Sequence, residues 1–292
     1  MRKIYRFLNE IIKIVLPKKT YIKLRSVFVL KKGQNLNNPQ TYNEKINYRK
    51  LYDKNPTYGI ASNKYLVKEY AKNLLGYNIS PETFWTGDRL TLEDIDNFPD
   101  KFVIKVTNGN GSKSYDLVKD KSLIDKNEFI KKFNKAVRQK YGKHSYEFWY
   151  DYSHQVIMVE ELLEFNGVPP IEYKVYCFNN KDKFDAVIRV IKDRETNKTQ
   201  SFYDLEWNHL PIGYMGGKLH DKLEKPNYFD DLIYISRNLS KEFDHVRVDL
   251  LYSNNKFYLG ELTFADTSGF IKFDDNKWDV YLGEKWTQQI KK

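Results

Sequence analysis

The spacing of apolar residues along the chain predicts a mixture of helices and strands. Over 65–75 and 92–98, apolar side chains recur every three to four residues, which is the helical period. The same period predicts later helices over 129–141 and 228–243. Short β-branched and apolar runs predict strands at 102–106, 155–159, 173–178, 184–191, 200–203, 246–252 and 257–264. Strand layers joined by helices indicate an α+β fold.

The ends of the first predicted helix also carry sequence signals. Ser62 stands where a side chain can accept hydrogen bonds from the first free backbone amides, and Gly76 stands where the last turn must stop. Pro99 closes the helix over 92–98 before the strand that follows.

No internal repeat or low-complexity linker divides the chain, so the element types set the expected boundaries. We expect a basic helical segment over 1–40 and a mainly helical lobe over 41–100. A lobe with a glycine-rich loop is expected over 101–160, and a strand-rich lobe over 161–292.

Composition restricts the class of protein. The 41% hydrophobic content, with 23 Tyr and 18 Phe, argues against disorder. No apolar run reaches the length of about 18 residues that a membrane span needs, so we expect a soluble, cytoplasmic protein. The single cysteine, Cys177, lies in an apolar run and is predicted to be a buried structural thiol.

The net charge of +10 is concentrated at one end of the chain. Residues 1–50 hold 13 Lys and Arg against two acids, which gives +11, and the other 36 Lys and Arg face 37 Asp and Glu, which gives −1. This uneven charge argues against nucleic acid as the partner, because no basic stripe crosses the body. Apolar residues at helical spacing over 4–16 predict a basic amphipathic helix. It can lie on an anionic membrane or pack on the protein itself.

The stretch KFVIKVTNGNGSKSYDLVK at 101–119 holds a lysine on a predicted strand before a glycine-rich turn. Lys105 lies among apolar residues and therefore needs an anionic partner. Asn108, Gly109, Gly111 and Ser112 permit a turn whose amides converge on phosphate oxygens, although Asn-Gly also predicts a plain β-hairpin. Neither GxxxxGK(S/T) nor GxGxxG is present, because Ser114 stands where the latter needs glycine.

Acidic and basic residues occupy one face of later predicted strands. Glu160 and Glu161 end a buried strand and can bound a cleft. The period of two puts Glu172 and Lys174 on one face, where they can contact ribose and phosphate or simply pair with each other. Arg189 is a further cation on an apolar strand.

The segments RVD at 247–249 and GELT at 260–263 predict a hairpin that brings two carboxylates together. Mg²⁺ is bound by one or two carboxylates plus substrate phosphates, so Asp249 and Glu261 are the candidate metal ligands. A salt bridge from Arg247 to either carboxylate, with no metal, is the alternative.

These motifs, taken in order, resemble the ATP-grasp superfamily and its TupA-like group, which is associated with teichuronopeptide and capsular polysaccharide synthesis. The order is strand lysine, glycine-rich loop, V-E-E, E-Y-K, R-V-D and G-E-L-T-F, and the block FYDLEWN at 202–208 is similar to that group's F-Y-D-x-x-W. The similarity covers roughly residues 41–286.

The resemblance implies two α+β lobes that enclose an ATP site, with Mg²⁺ as the second cofactor. Lys105 would be the nucleotide-binding lysine, and the loop of Asn108, Gly109, Gly111 and Ser112 would cover the phosphates. The remaining assignments would be an adenine-side hinge of Glu160, Glu161 and Leu162, a ribose carboxylate at Glu172, phosphate-side cations at Lys174, Arg189 and Arg247, and metal ligands at Asp249, Glu261 and Thr263. The superfamily has asparagine where this chain has Thr263.

The implied reaction is ATP-dependent ligation of a carboxylate and an amine through an acyl phosphate. The implied partners are a uronic acid of a surface polysaccharide and an amino acid or small amine, and the basic N-terminal helix fits peripheral contact with the inner face of a membrane. Candidate substrate residues are Tyr203, Asp204, Trp207, Thr267 and Ser268. The alternatives are a glycosyltransferase that uses a nucleotide sugar, a kinase-type phosphoryl transfer and a non-catalytic nucleotide-binding protein. The only D-x-D motif that a glycosyltransferase would use is Asp94 to Asp96, which lies in a predicted helix.

Overall fold

The computed structural model describes residues 12–13, 15–109, 111, 113–164, 167–181, 183–192, 198–220 and 222–291. The chain forms two compact units. One consists of Met1–Asn55, Ile212–Gly217 and Ala265–Lys292, and the other of Pro56–Pro211 and Lys218–Phe264. We call them the terminal unit and the sheet unit.

Helices and strands both contribute, as the apolar spacing predicts. The helices are α1 (Lys18–Leu30), α2 (Tyr42–Tyr52), α3 (Thr57–Ala61), α4 (Leu66–Leu75), α5 (Leu92–Asn97), α6 (Lys126–Ala136), α7 (Tyr141–Ser145), α8 (Phe229–Ser240) and α9 (Asn276–Glu284). The strands are β1 (Thr83–Gly87), β2 (Phe102–Val106), β3 (Tyr115–Val118), β4 (Ile157–Glu160), β5 (Ile171–Asn180), β6 (Lys183–Lys192), β7 (Thr199–Tyr203), β8 (His209–Leu210), β9 (Lys218–Leu219), β10 (His245–Ser253) and β11 (Lys256–Thr263). The α+β class is confirmed.

Two sheets form the sheet unit. The smaller sheet has four antiparallel strands in the order β1-β4-β2-β3. The larger sheet has the order β11-β10-β5-β6-β7-β8, and β9 pairs with β7 in parallel. Strand β10 therefore inserts between β5 and its own hairpin partner β11, which brings residues far apart in sequence onto neighbouring strands.

Apolar burial follows the predicted pattern. Phe102, Ile104 and Val106 of β2 are fully buried against Phe133 of α6, whereas Lys105 points to the other face. Cys177 is fully buried in β5, and burial raises the pKa of its thiol to about 12. The thiol therefore stays protonated and unreactive, as predicted.

The start of α4 corrects one prediction. Ser62 does not cap this helix. Asn63 does so, because its Oδ1 accepts hydrogen bonds from the amides of Tyr65, at 2.9 Å, and Leu66, at 3.1 Å. The end is as predicted, since Gly76 adopts the left-handed conformation with φ of 80°.

The terminal unit is built around α1, α2 and α9. Helix α2 begins with a capping box in which Thr41 and Glu44 satisfy each other's backbone amides. The rings of Tyr42 and Trp286 lie 5.9 Å apart in its core. Of the predicted N-terminal helix, Ile12, Lys13 and Val15 are helical, and residues 1–11 and 14 lie outside the described residues. No described helix has the length and apolar content that crossing a bilayer requires.

Candidate functional site

A row of charged residues crosses four neighbouring strands of the larger sheet. Glu261 on β11 lies directly opposite Asp249 on β10, Asp249 lies opposite Lys174 on β5, and Lys174 lies opposite Arg189 on β6. Because residues opposite each other in an antiparallel sheet project to the same face, two carboxylates and two cations stand side by side. The sequence predicts each residue, and the strand order places them in one line.

Arg247 holds the two carboxylates of this row together. Its Nε donates to Asp249 Oδ1 at 2.6 Å, and its Nη2 donates to Asp249 Oδ2 at 2.8 Å. The same Nη2 reaches Glu261 Oε1 at 3.4 Å. The salt bridges of the alternative interpretation are therefore present, and both carboxylates converge on one positively charged nitrogen.

Lysines extend these ion pairs into a network. Lys174 forms ion pairs with Glu172 Oε1, at 2.8 Å, and with Asp249 Oδ2. Lys64, on the turn before α4, lies 3.5 Å from Glu261 Oε2. Three cations thus face three carboxylates: Lys64, Lys174 and Arg247 against Glu172, Asp249 and Glu261.

The carboxylates fit a magnesium ion that enters together with phosphate. Asp249 and Glu261 offer hard oxygen ligands, and the hydroxyl of Thr263 donates to Glu261 Oε1 at 3.0 Å. Within the described residues, no group of three or more His, Cys, Asp or Glu is placed to hold a metal by itself. Since each of these carboxylates is already paired with a cation, a divalent cation is best balanced by the negative charge of a polyphosphate.

A glycine allows β10 and β11 to approach each other beside Asp249 and Glu261. The pairing of β10 with β11 is irregular after Asp249. Asp249 pairs with Glu261 and the next residue, Leu250, pairs with Leu259, so the register skips Gly260. A Cβ atom on Gly260 would stand 3.0 Å from the carbonyl oxygen of Asp249. A side chain here would require the strands to shift by a few tenths of an ångström, so glycine suits this close approach beside Glu261.

Glu261 makes the folded state sensitive to acid. Burial by itself raises the pKa of its carboxyl above the ordinary value of 4.5. The positive charges of Lys64, Arg247 and Lys174 outweigh burial and hold this pKa below that value. Because the pKa of Glu261 is lower in the folded state than in the unfolded state, its negative charge stabilises the fold at pH values above the unfolded-state pKa. This stabilisation is lost as the pH falls towards the folded-state pKa.

We therefore expect Glu261→Gln to lower the free energy of unfolding at neutral pH, and we expect its difference from wild type to shrink below about pH 4.5. Urea unfolding of both proteins at a series of pH values measures this difference. Glu93→Gln, at an exposed position on α5, is the control substitution. A difference between wild type and Glu261→Gln that stays constant from neutral pH into the acid range would contradict the assignment.

Lys105 has a buried carboxylate partner. It forms an ion pair with Glu160, whose side chain is only 4% exposed. Lys68 of α4 binds the other oxygen of Glu160 at 3.0 Å and also donates to Thr83 Oγ1 at 2.6 Å. Burial lowers the pKa of Lys68 and the charge of Lys105 adds to this, while Glu160 opposes both. The anion that the sequence requires for Lys105 is thus supplied by the protein in this structure.

The glycine-rich segment is the turn of a β-hairpin, as one alternative predicted. Strands β2 and β3 pair from Phe102 with Val118 to Lys105 with Tyr115. Gly109 is required by a close approach, because a Cβ there would lie 2.4 Å from that of Ser114. Gly111 has φ of 76°, which favours glycine. Ser112 and Asn110 lie outside the described residues.

Asn108 is oriented into the protein. It is fully buried, and its Nδ2 donates to the carbonyls of Tyr150, at 2.7 Å, and Ser153, at 3.2 Å. Its side chain supports the base of the hairpin turn.

The family of the chain follows from a match to a known sequence family. The model of the TupA-like ATP-grasp family matches residues 44–287, which is most of the chain. The chain belongs to the TupA-like ATP-grasp family. The resemblance stated from the motifs is thereby confirmed, and with it an ATP-grasp fold. No curated protein matches the chain.

Solved structures of ATP-grasp ligases are similar to this TupA-like protein at low identity. D-alanine–D-alanine ligase from Helicobacter pylori has 20% identity and a TM-score of 0.47, over 78% of this chain and 62% of that one. The corresponding ligase from Bacillus anthracis has 16% identity and a TM-score of 0.43, over 78% and 66%. Phosphoribosylamine–glycine ligase from Thermotoga maritima has 14% identity and a TM-score of 0.43, over 73% and 49%. The chain spans about three fifths of the length of the first of these.

Two lysines of the candidate site are not identified by the sequence alone. Lys64 joins Glu261 to the glycine-rich turn, since its Nζ also donates to the carbonyl of Gly109 at 3.0 Å. Lys68 shares Glu160 with Lys105. No motif in the sequence singles them out, because Lys64 lies on the turn before α4 and only Lys68 lies within the helix.

The predicted hinge residues lie at the end of β4, in the smaller sheet, and directly after it. The predicted ribose carboxylate lies on β5, in the larger sheet. The amide of Glu161 donates to the carbonyl of Glu82 at 2.9 Å, so the chain after β4 is held against the chain before β1. Leu162 is half-buried. Glu172 is buried beside Lys174 on β5. The roles of these residues with a nucleotide stay predictions.

The F-Y-D-x-x-W block has a structural explanation. The rings of Tyr203 and Trp207 stack at 4.2 Å, and Asp204 accepts hydrogen bonds from the amides of Glu206 and Asn208. The Tyr203 hydroxyl accepts from the amide of Leu223 at 2.7 Å. Tyr203, Asp204 and Trp207, three of the candidate substrate residues, therefore stabilise the turn that follows β7.

The last candidate substrate residues lie in the terminal unit. Thr267 and Ser268 have φ of 48° and 55°, a left-handed conformation that side chains rarely adopt. Lys50 donates to both the carbonyl and the Oγ of Ser268 at 2.8 Å. The D-x-D motif lies in α5, where Asp94 completes a capping box with Thr91 and Asp96 pairs with Lys126 at 2.5 Å. That setting does not favour a glycosyltransferase metal site.

Proposed function

We propose that this protein is an ATP-dependent carboxylate–amine ligase that works through an acyl phosphate. The observation that carries the proposal is the row of Glu261, Asp249, Lys174 and Arg189 across four strands, in a chain of the TupA-like ATP-grasp family. Two carboxylates beside two cations suit a polyphosphate with its metal ion, since each charge of the ligand meets an opposite one.

Each part of the site has a defined task in this proposal. Asp249 and Glu261, with the hydroxyl of Thr263, present oxygen atoms to Mg²⁺. Lys174, Arg189 and Arg247 neutralise phosphate oxygens and the developing acyl phosphate, and Arg189 and Arg247 are the proposed catalytic cations. Glu172 accepts hydrogen bonds from ribose hydroxyls. The hinge of Glu160, Glu161 and Leu162 borders the base.

The turn between β2 and β3 covers the phosphates in this proposal, with Lys105 at its base. When bound, ATP supplies the phosphoryl group that turns the carboxylate into an acyl phosphate, from which the amine displaces phosphate. Lys64 is placed to respond to this binding, because it contacts both the turn at Gly109 and the carboxylate of Glu261.

We propose a uronic acid of a bacterial capsular or teichuronic polysaccharide as the carboxylate, and an amino acid or small amine as the acceptor. This choice of substrate class rests on the resemblance of the motifs to the TupA-like group. We also propose a cytoplasmic location with peripheral contact at the inner face of the membrane through the basic segment 1–40, which would suit work on a membrane-attached glycan.

The reaction products test the ligase proposal. Incubation with Mg·ATP is expected to release ADP and phosphate only when a uronic-acid saccharide and an amine are both present. A saccharide with an ¹⁸O-labelled carboxylate is expected to transfer one label to the released phosphate, because the carboxylate oxygen attacks the phosphoryl group. Glu261→Gln provides the background rate.

Three other outcomes would each overturn the proposal. A phosphorylated sugar without free phosphate would indicate a kinase. Turnover of a nucleotide sugar without ATP would indicate a glycosyltransferase. Nucleotide binding with no turnover across a panel of uronic acids and amines would indicate a non-catalytic binding protein.

A further inference from the structure

Helix α1 has one face in the core of the terminal unit and an opposite face with apolar side chains in solvent. Tyr21, Ile22 and Ser26 are buried. Leu24, Val27 and Phe28 are 36%, 51% and 58% exposed. The spacing of three and four residues places these three side chains next to one another on the helix surface. They form an apolar stripe, which we call the outer face of α1.

The position of this face is fixed by the packing of the helix. Ser26 Oγ donates to the carbonyl of Lys32 at 2.8 Å, which ties the helix to the chain that follows it. The guanidinium of Arg25 lies over the ring of Phe270 at 4.4 Å. Because Tyr21 and Ile22 occupy the core, Leu24, Val27 and Phe28 cannot turn inwards without unpacking the helix.

The surroundings of this face are strongly basic. Between Glu10 and Glu44 the sequence contains seven Lys and Arg and no Asp or Glu. Lys23 and Lys31 are exposed and flank the apolar stripe, and Lys18 is exposed at the start of the helix. Ile12 and Val15, just before α1, are also exposed, at 37% and 72%.

An anionic lipid surface fits this combination better than a second copy of the chain. Two copies facing each other through α1 would bring their lysines together, and like charges repel. Three apolar side chains also make a patch much smaller than the roughly 800 Å² per partner of a stable protein interface. On a bilayer, short apolar side chains enter the boundary between headgroups and acyl chains, while lysines beside them meet anionic headgroups.

We propose that the outer face of α1, formed by Leu24, Val27 and Phe28 and flanked by Lys23 and Lys31, binds the surface of an anionic phospholipid bilayer. The inference rests on the membrane contact of the proposed function and gives it a defined surface. It does not depend on the ligase chemistry.

Binding to vesicles tests this surface in the full-length protein. Wild type is expected to float with vesicles that contain phosphatidylglycerol and to remain unbound with pure phosphatidylcholine. Leu24→Ser/Val27→Ser/Phe28→Ser should weaken binding to the anionic vesicles by about tenfold or more, because the binding strength scales with the apolar area inserted. Leu123→Ser/Val168→Ser, at positions 83% and 63% exposed in the sheet unit, is the matched control and should bind as wild type does.

A charge variant tests the same surface without altering its apolar side chains. Lys23→Gln/Lys31→Gln should bind anionic vesicles more weakly than wild type, and the difference should narrow as salt is raised, because salt screens exposed charges. Thermal unfolding of each variant checks that the fold is retained.

The outcomes separate this surface from the alternatives. Wild-type binding by both the apolar and the lysine variants would overturn the proposal. If only Ile4→Ser/Phe7→Ser/Ile11→Ser lost binding, the membrane contact of the proposed function would stand without α1. A dimer in solution that the α1 apolar variant dissociates, with no vesicle binding by wild type, would instead identify an interface between copies. The assay for ADP and phosphate depends neither on vesicle binding nor on dimer formation. It therefore tests the ligase proposal separately from the membrane proposal.

Discussion

Glu261→Gln is expected to reduce ATP-dependent turnover by at least about 100-fold while the protein stays folded at neutral pH. Glutamine has nearly the same shape, and its side-chain oxygen can still accept the hydrogen bond from Thr263 that the structure shows at 3.0 Å. What is lost is a negative charge opposite Asp249. Two carboxylates then remain among the cations of this network, and a metal ion is bound less well.

Steady-state rates at a series of Mg²⁺ concentrations measure this effect. The apparent Mg²⁺ requirement should rise together with the loss of rate, and Asp249→Asn should behave in the same way because the two residues lie opposite each other. Glu93→Gln on α5 is the control for a general effect of lost charge. Wild-type turnover and wild-type Mg²⁺ dependence in Glu261→Gln would remove this residue from the metal site.

Glu160→Ala is expected to lower the free energy of unfolding by about 3–5 kcal/mol, which is typical when one partner of a buried ion pair is removed. The side chains of Lys105 and Lys68 are only 12% and 16% exposed and both bind Glu160. Without the carboxylate, two positive charges would face each other in the same enclosed place. Urea unfolding measures the change.

A compensating variant separates charge from packing in this cluster. In Glu160→Leu/Lys68→Met/Lys105→Met, all three charges are replaced by apolar side chains, and most of the lost stability should return. Turnover should not return, because Lys105 is a proposed nucleotide ligand. An unfolding free energy of Glu160→Ala equal to that of wild type would show that the cluster does not depend on its carboxylate, and an active triple variant would exclude Lys105 as a ligand.

Much of the fold is predictable from sequence because its signals are local. The period of two in β10 and β11 and the helical period in α4, α6 and α8 depend only on which residues are apolar. Gly76 ends α4 because a left-handed residue is needed there, and this requirement is also local. The start of α4 was wrong by one residue, since Ser62 and Asn63 are both good capping residues and only the backbone geometry selects between them.

The candidate site is predictable as a set of residues but not as a set of contacts. Charged residues between apolar neighbours identify Lys105, Lys174, Arg189, Asp249 and Glu261, because such positions are costly without a partner. Which partner each one has depends on strand order. Lys105 meets Glu160 because β2 pairs with β4, and Lys64 reaches Glu261 from the turn before α4, nearly 200 residues earlier in the chain.

The sequence by itself therefore determined the α+β class, the positions of most elements, the family and the residue types of the candidate site, since each follows from short patterns and their order along the chain. The tertiary structure decided the row of charges across β11, β10, β5 and β6, the inward orientation of Asn108 and the exposed outer face of α1. These features arise from contacts between segments distant in sequence, and pairing between distant strands is set by the packing of the whole sheet, which no local pattern records.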